Sequence, residues 1–145
     1  MIDVILADQH ELFQSGMAEL LGDAGDIYVM AQPRSAEPLL SVLGTLIPHV
    51  LLLSTNFLPV FPKIERLLQR RTALLLLAED NDSTDYVQRL PAQGVIYRSI
   101  DGPHLIGALR GVARGELFVQ GRSSNVPNEL PARNAETRIV PEACG

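Results

Sequence analysis

Three apolar stretches of this chain run straight into residues able to do chemistry. Residues 4–7 lead into Asp8, Gln9 and His10, residues 50–53 into Ser54, Thr55 and Asn56, and residues 74–78 into Glu79 and Asp80. A short unbroken aliphatic run is the pattern of a buried parallel strand, and in α/β sheets ligand chemistry sits at the carboxyl ends of such strands. Ser54 therefore stands at a functional address. A serine hydroxyl is a weak nucleophile until an adjacent base activates it, and the bases near these ends are Asp8, His10, Glu79 and Asp80.

Other polar groups near these ends have plainer readings. His10 has no cysteine or histidine partner at ligand spacing and is expected to cap the first helix. His49 and His104 are expected at the surface or at caps. Glu79, Asp80 and Asp82 read as a solvated loop that caps a helix, in preference to a relocated metal site.

An alternation of strand and helix patterns must position these residues. The first helical stripe starts at Leu12 and includes Phe13, Met17, Leu20 and Leu21, and residues 22–26 break it. Residues 27–31 read as a second strand. Ser35 opens a helix expected to reach about Ile47, where Pro48 stops it. Residues 63–71 carry the next helical register. A helix capped near Asp82 should be cut short by Pro91. Residues 95–97 form a brief fifth strand, and Asp101 caps a last helix whose Leu105, Leu109 and Val112 belong to the core. Gly115 ends it. Phe118 and any exposed apolar neighbours are candidates for an interface.

Composition bounds the rest. A 145-residue chain with 46% hydrophobic and 20% charged residues suits one compact domain, here residues 1–120, with residues 121–145 as a polar linker or disordered tail. The net charge of −5 provides no basic stripe for a nucleic-acid backbone. The single cysteine, Cys144, can form no internal disulfide, which fits a reducing cytosol. No stretch approaches the length of a membrane span and no leader pattern opens the chain, so it reads as soluble, cytoplasmic and without membrane contact. Five β-then-α units imply a flavodoxin-like α/β sandwich with a parallel sheet in the order 2-1-3-4-5.

Here a resemblance becomes specific. The stretch "VILADQHELFQSGMAELL" resembles the opening of response-regulator receiver domains of the LuxR/FixJ type. "IPHVLLLSTNFLP" is similar to their third strand and following loop, and "GVIYRSIDGPHLIGALRGVARGE" to their last strand and helix. In that family an acidic pair holds magnesium, an aspartate ending the third strand accepts a phosphoryl group, and a hydroxyl residue and a lysine ending the fourth and fifth strands sense it. The resemblance places Asp8 at the first acid and Gln9 at the second. It puts Ser54 at the phosphoacceptor, Ala78 at the hydroxyl position, Arg98 at the lysine and Val95 near an aromatic switch position. Phosphoryl transfer to a receiver needs a carboxylate nucleophile beside a metal that neutralises phosphate charge, so the resemblance implies a degenerate pocket. Two placements are open for Arg98: paired with Asp8, where it balances the remaining charge, or turned to solvent.

Three function classes follow. The preferred one is a phosphorylation-independent receiver, a regulatory and protein-interaction module in transcriptional control that is not an enzyme and needs no cofactor. It would act as a homodimer or with a partner protein, and touch DNA only through a helix-turn-helix output domain, whose pattern does not follow residue 121. The second is a sensor binding a carboxylate-bearing metabolite through Arg98. The third, an enzyme or flavoprotein on the same fold, is opposed by the lack of a glycine-rich loop after the first strand.

Overall fold

Side-chain alternation along four buried strands decides how the two faces of the sheet are covered. The computed structural model describes residues 1–82, 85, 89–120, 127 and 128. Its elements are β1 (Ile2–Ala7), α1 (Glu11–Asp23), β2 (Ile27–Ala31), α2 (Ala36–Leu43), β3 (Val50–Ser54), a 3-10 helix (Thr55–Val60), α3 (Phe61–Leu67), β4 (Ala73–Ala78), β5 (Gly94–Tyr97), α4 (Gly102–Ala113), β6 (Phe118–Gln120) and β7 (Pro127–Asn128). Val4, Leu6, Val50, Leu52, Leu75, Leu77 and Ile96 point to one side, where Met17 and Leu21 of α1 and Leu105, Ala108, Leu109 and Val112 of α4 cover them. The intervening residues Ile5, Leu51, Leu53, Leu74, Leu76, Val95 and Tyr97 face Leu39 and Leu43 of α2 and Ile64 of α3. A strand buried on both faces has no polar positions to spare, which is why these segments read as continuous aliphatic runs. Each fully buried leucine contributes about 2 kcal/mol relative to an exposed one.

The sheet runs β2-β1-β3-β4-β5-β6-β7. Its first five strands are all parallel, in the expected order 2-1-3-4-5. Two short strands were not expected: β6 adds in parallel to β5, and β7 pairs antiparallel with β6. Phe118, a candidate interface residue on sequence grounds, lies half-buried on β6 and packs against the α1–α4 side of the core. Among the described residues, no helix is long and apolar enough to cross a membrane.

Several boundaries differ from expectation for local reasons. α1 continues through Gly22 to Asp23, and the turn falls on Gly25, whose φ of 86° suits a residue without a Cβ. α2 stops at Leu43 rather than near residue 47, because Gly44 caps it by donating its N–H back to the Leu40 carbonyl. The third helix begins at Phe61, with Pro62 in the first turn where no N–H is needed, and ends at Leu67, since Leu68 is already extended. Residues 68–72 form the return to β4, pinned where Thr72 Oγ1 donates to the Pro48 carbonyl at 2.7 Å. The last helix starts where its cap predicts: Asp101 Oδ1 accepts from the His104 backbone N–H at 2.9 Å. The helix expected near Asp82 and the tail after residue 120 lie outside the described residues, apart from Asp82, Asp85, 89–90, 127 and 128.

Candidate functional site

Strand register brings the polar ends together. Ala7 pairs with Leu53, Ser54 with Leu77, and Ala78 with Tyr97, so Asp8, Ser54, Glu79 and Arg98 emerge at one edge of the sheet. Asp8, Ser54 and Arg98 continue the alternation of Leu6, Leu52 and Ile96, toward the α1 side. Ala78 continues that of Leu76 and packs in the opposite core.

Arg98 occupies the centre. Its Nη1 donates to Asp8 Oδ2 and its Nη2 to Asp8 Oδ1, both at 3.0 Å, a two-pronged fit of fork to carboxylate. Its other edge engages Glu79, with Nε donating to Oε1 at 3.0 Å and Nη2 donating to Oε2 at 2.7 Å. The guanidinium carbon lies 4.6 Å from the centroid of the Phe13 ring, a cation–π contact worth about 1 kcal/mol. Asp8 is 1% exposed and the Arg98 side chain 16%. Burial works against the arginine's charge, but the hydrogen bonds and charges of Asp8 and Glu79 outweigh it and raise its pKa further above its usual value. The guanidinium is therefore a permanent internal cation.

The neighbouring loops are tied to the same cluster. Asp82 Oδ2 accepts from the Glu79 backbone N–H and from Thr55 Oγ1, each at 2.9 Å, joining the loops after β3 and β4. Asp80 Oδ1 accepts from Ser99 Oγ at 3.1 Å. The acidic loop, expected to be solvated and to cap a helix, leaves Asp80 exposed and is held by hydrogen bonds to Thr55, Arg98 and Ser99, while the start of the helix it was expected to cap lies outside the described residues. His10 is also corrected: it sits at the N-cap position of α1 without a side-chain capping bond, and its Nδ1 lies 3.3 Å from Asp8 Oδ1. His49 Nδ1 accepts from the Asp3 backbone N–H at the opposite end of β1.

Ser54 is fully buried, and its Oγ accepts from the Asn56 backbone N–H at 3.2 Å, capping the 3-10 helix. Among the described residues, its hydroxyl makes no hydrogen bond to a carboxylate or an imidazole, so the base that nucleophilic use of Ser54 requires is not in place. Gln9 is exposed. Magnesium does not fit these residues, since both oxygens of Asp8 are engaged by Arg98 and Gln9 faces solvent. Among the described residues, no group of three or more His, Cys, Asp or Glu is placed to hold a metal ion.

Sequence reasoning missed three participants: Glu79 as the second partner of Arg98, Phe13 beneath it, and Gln14. Gln14 is 4% exposed, and its Nε2 donates to the carbonyls of Leu6 and Pro33, both at 3.0 Å, fixing α1 to the end of β1 and to the loop after β2.

No family model matches the chain. It is 25% identical over 125 residues to the transcriptional regulatory protein DegU of Brevibacillus brevis, an alignment that covers 81% of this chain and 52% of that protein. The chain thus spans about half the length of this curated relative. Solved structures agree on the fold. The isolated receiver domain of RcsB from Salmonella enterica serovar Typhimurium superposes with a TM-score of 0.72 at 20% identity, covering 84% of this chain and 95% of that domain. The receiver domain of NarL from Mycobacterium tuberculosis gives 0.68 at 20%, covering 79% and 98%. A LuxR-family response regulator from an Aurantimonas species gives 0.69 at 13%, covering 81% and 88%. The chain has the receiver fold of response regulators, of the kind seen in RcsB and NarL.

Proposed function

We propose that this receiver domain is a phosphorylation-independent regulatory and protein-interaction module that works in transcriptional control. The observation that carries the reading is the double engagement of Arg98 by Asp8 and Glu79. A receiver that switches by phosphorylation gains its differential free energy from a phosphoryl group held beside a metal. Here a fixed cation fills that volume, and the residue at the end of β3 is a buried serine with its oxygen committed to a cap. A pocket of this kind holds one arrangement and has no group to modify. Control then comes from assembly with a second copy or a partner protein, in the cytoplasm, without catalysis by this domain.

Structures of RcsB include one bound to promoter DNA and one of two dimers on two parallel DNAs. By analogy, this chain would influence DNA through an output domain rather than through its own acidic surface. The metabolite-sensor alternative loses its anchor, because two edges of the guanidinium already carry carboxylates.

The test is incubation of the protein with acetyl phosphate and magnesium, followed by intact-mass measurement, alongside a Ser54→Asp variant. No adduct on the unmodified chain is the expected result. A phosphoryl adduct on it would overturn the reading.

A further inference from the structure

Residues 63–71 carry Lys63, Arg66, Arg70 and Arg71 against a single acid, Glu65, in a chain whose net charge is −5. Among the described residues, Arg34, Arg98, Arg110 and Arg114 each pair with a carboxylate, whereas these four exposed cations have no such partner. Beside them lies a cavity of about 180 Å³, lined by Ile47, Pro48, His49 and Arg71. We propose that this basic patch and its cavity form a docking site for an acidic peptide segment that carries one apolar side chain.

Topology puts the site away from Arg98. β3 and β4 are parallel, so the chain between them must return to the amino ends of the strands, and Arg70 and Arg71 sit at the end of the sheet opposite the Asp8–Arg98 pair. Hydrogen bonds fix that return: Thr72 Oγ1 donates to the Pro48 carbonyl at 2.7 Å, and the Ala73 N–H donates to the His49 carbonyl at 2.9 Å. The His49 ring is held as well. Its Nδ1 accepts from the Asp3 N–H at 2.9 Å, which leaves Nε2 as the nitrogen that carries hydrogen and can donate. The Asp3 carboxylate lies 3.9 Å from that same Nδ1. Arg71 and His49 thus bring donors for a carboxylate to one cavity, and Arg70, Arg66 and Lys63 extend the positive charge back along α3. Pro48 and the half-exposed Ile47 supply an apolar wall that a side chain can cover. Among the described residues no aromatic ring lines the cavity to stack a base, and a chain of net charge −5 repels a nucleic-acid backbone, so a peptide suits the site better than DNA or RNA. The inference names a partner class for the interaction role proposed above and rests on that role, not on the chemistry of Ser54.

Fluorescence anisotropy of the full chain with a labelled peptide of alternating aspartate and glutamate around one central leucine tests it without phosphate, so its outcome is independent of the labelling experiment. The expected result is binding that weakens as salt rises and falls by about tenfold or more when Arg70→Glu and Arg71→Glu are combined. Arg70→Gln with Arg71→Gln serves if the reversed variant does not fold. Arg34→Glu with Arg114→Glu reverses as much exposed charge away from the patch, and should weaken binding by no more than roughly threefold. Replacing the peptide's leucine by serine should weaken binding several-fold in the parent, and Ile47→Ser should remove that difference. Equal losses in the two charge-reversed variants would mean a bulk charge effect and overturn the proposal. No saturable binding of the peptide, a leucine without effect, or tighter binding of a DNA duplex than of the peptide would overturn it as well.

Discussion

Arg98 and Asp8 stand 90 positions apart in the chain and meet through two parallel hydrogen bonds of 3.0 Å. The pair joins the end of β1 to the end of β5, across β3 and β4, so a single guanidinium ties the far ends of the central sheet. Its Asp8 partner is almost wholly shut off from water. Breaking such a pair from one side strands a buried carboxylate, a costlier change than never having had the pair. Arg98→Ala is therefore expected to lower stability by about 3 kcal/mol. Arg98→Lys should lose less, because a point charge still faces Asp8 but cannot reach both of its oxygens in the same way. Urea unfolding with an unchanged m-value is the measurement, and an alanine variant as stable as the parent would contradict this account of the pocket.

Gln14 makes a second tie that depends on a neutral side chain. Its amide nitrogen satisfies two carbonyls that have little access to water, those of Leu6 and Pro33. Gln14→Leu would keep the volume and leave both acceptors without that donor, which should cost about 2 kcal/mol. Gln14→Glu should cost more, since a carboxylate would face two carbonyl oxygens. If the glutamate variant proved no less stable than the leucine variant, the assigned hydrogen-bond direction would be wrong.

The strands and their order were readable because short aliphatic runs ending in polar groups alternate with helical stripes, the pattern of a parallel α/β sheet. Asp101 likewise announced its helix, because a cap is a local device. Glu79 was legible only in part. Once β4 and β5 pair with Ala78 opposite Tyr97, the next residues along, Glu79 and Arg98, must come close. That inference needs the register, which sequence alone did not supply. Gln14 left a fainter signal: it shares the buried stripe of Met17 and Leu21, where a polar residue has to find partners. Phe13 could be read as a core residue, but its contact with Arg98 depends on tertiary placement. β6 and β7 escaped notice because strands of three and two residues carry too little pattern.

Acid sensitivity should come in part from two half-exposed carboxylates. The hydrogen bond from Arg110 lowers the pKa of Asp26, and the His104 backbone N–H lowers that of Asp101. A carboxyl group whose pKa is depressed by folding adds stability that is fully present above its unfolded-state pKa and is lost as pH falls through the folded-state value. The melting temperature of the parent should therefore decline through the acid range more steeply than that of Asp101→Ala or Asp26→Ala. Each variant should be less stable than the parent at neutral pH, with the gap narrowing as the solution is acidified. A gap that stays constant with pH would mean that these carboxylates do not contribute through their ionisation.

Gly94 shows how tightly β6 is joined to the rest. A Cβ built there would lie 2.8 Å from Leu75 Cδ1, 2.9 Å from the Phe118 carbonyl oxygen and 3.1 Å from Val112 Cγ1. Leu75 and Val112 are buried in the core and have little room to retreat, while the Phe118 oxygen is backbone of the strand paired with Gly94. Gly94→Ala must then push β6 away from β5, at a cost of about 2 kcal/mol. Hydrogen exchange should report the same event as faster exchange of the Phe118 amide, which donates to the Gln93 carbonyl at 3.1 Å. Gly107→Ala is the control: it lies in α4 with nothing within 4 Å of the added carbon, and should raise stability by up to about 1 kcal/mol through helix propensity. If both alanines had the same effect, crowding at Gly94 would not be what holds β6 in register.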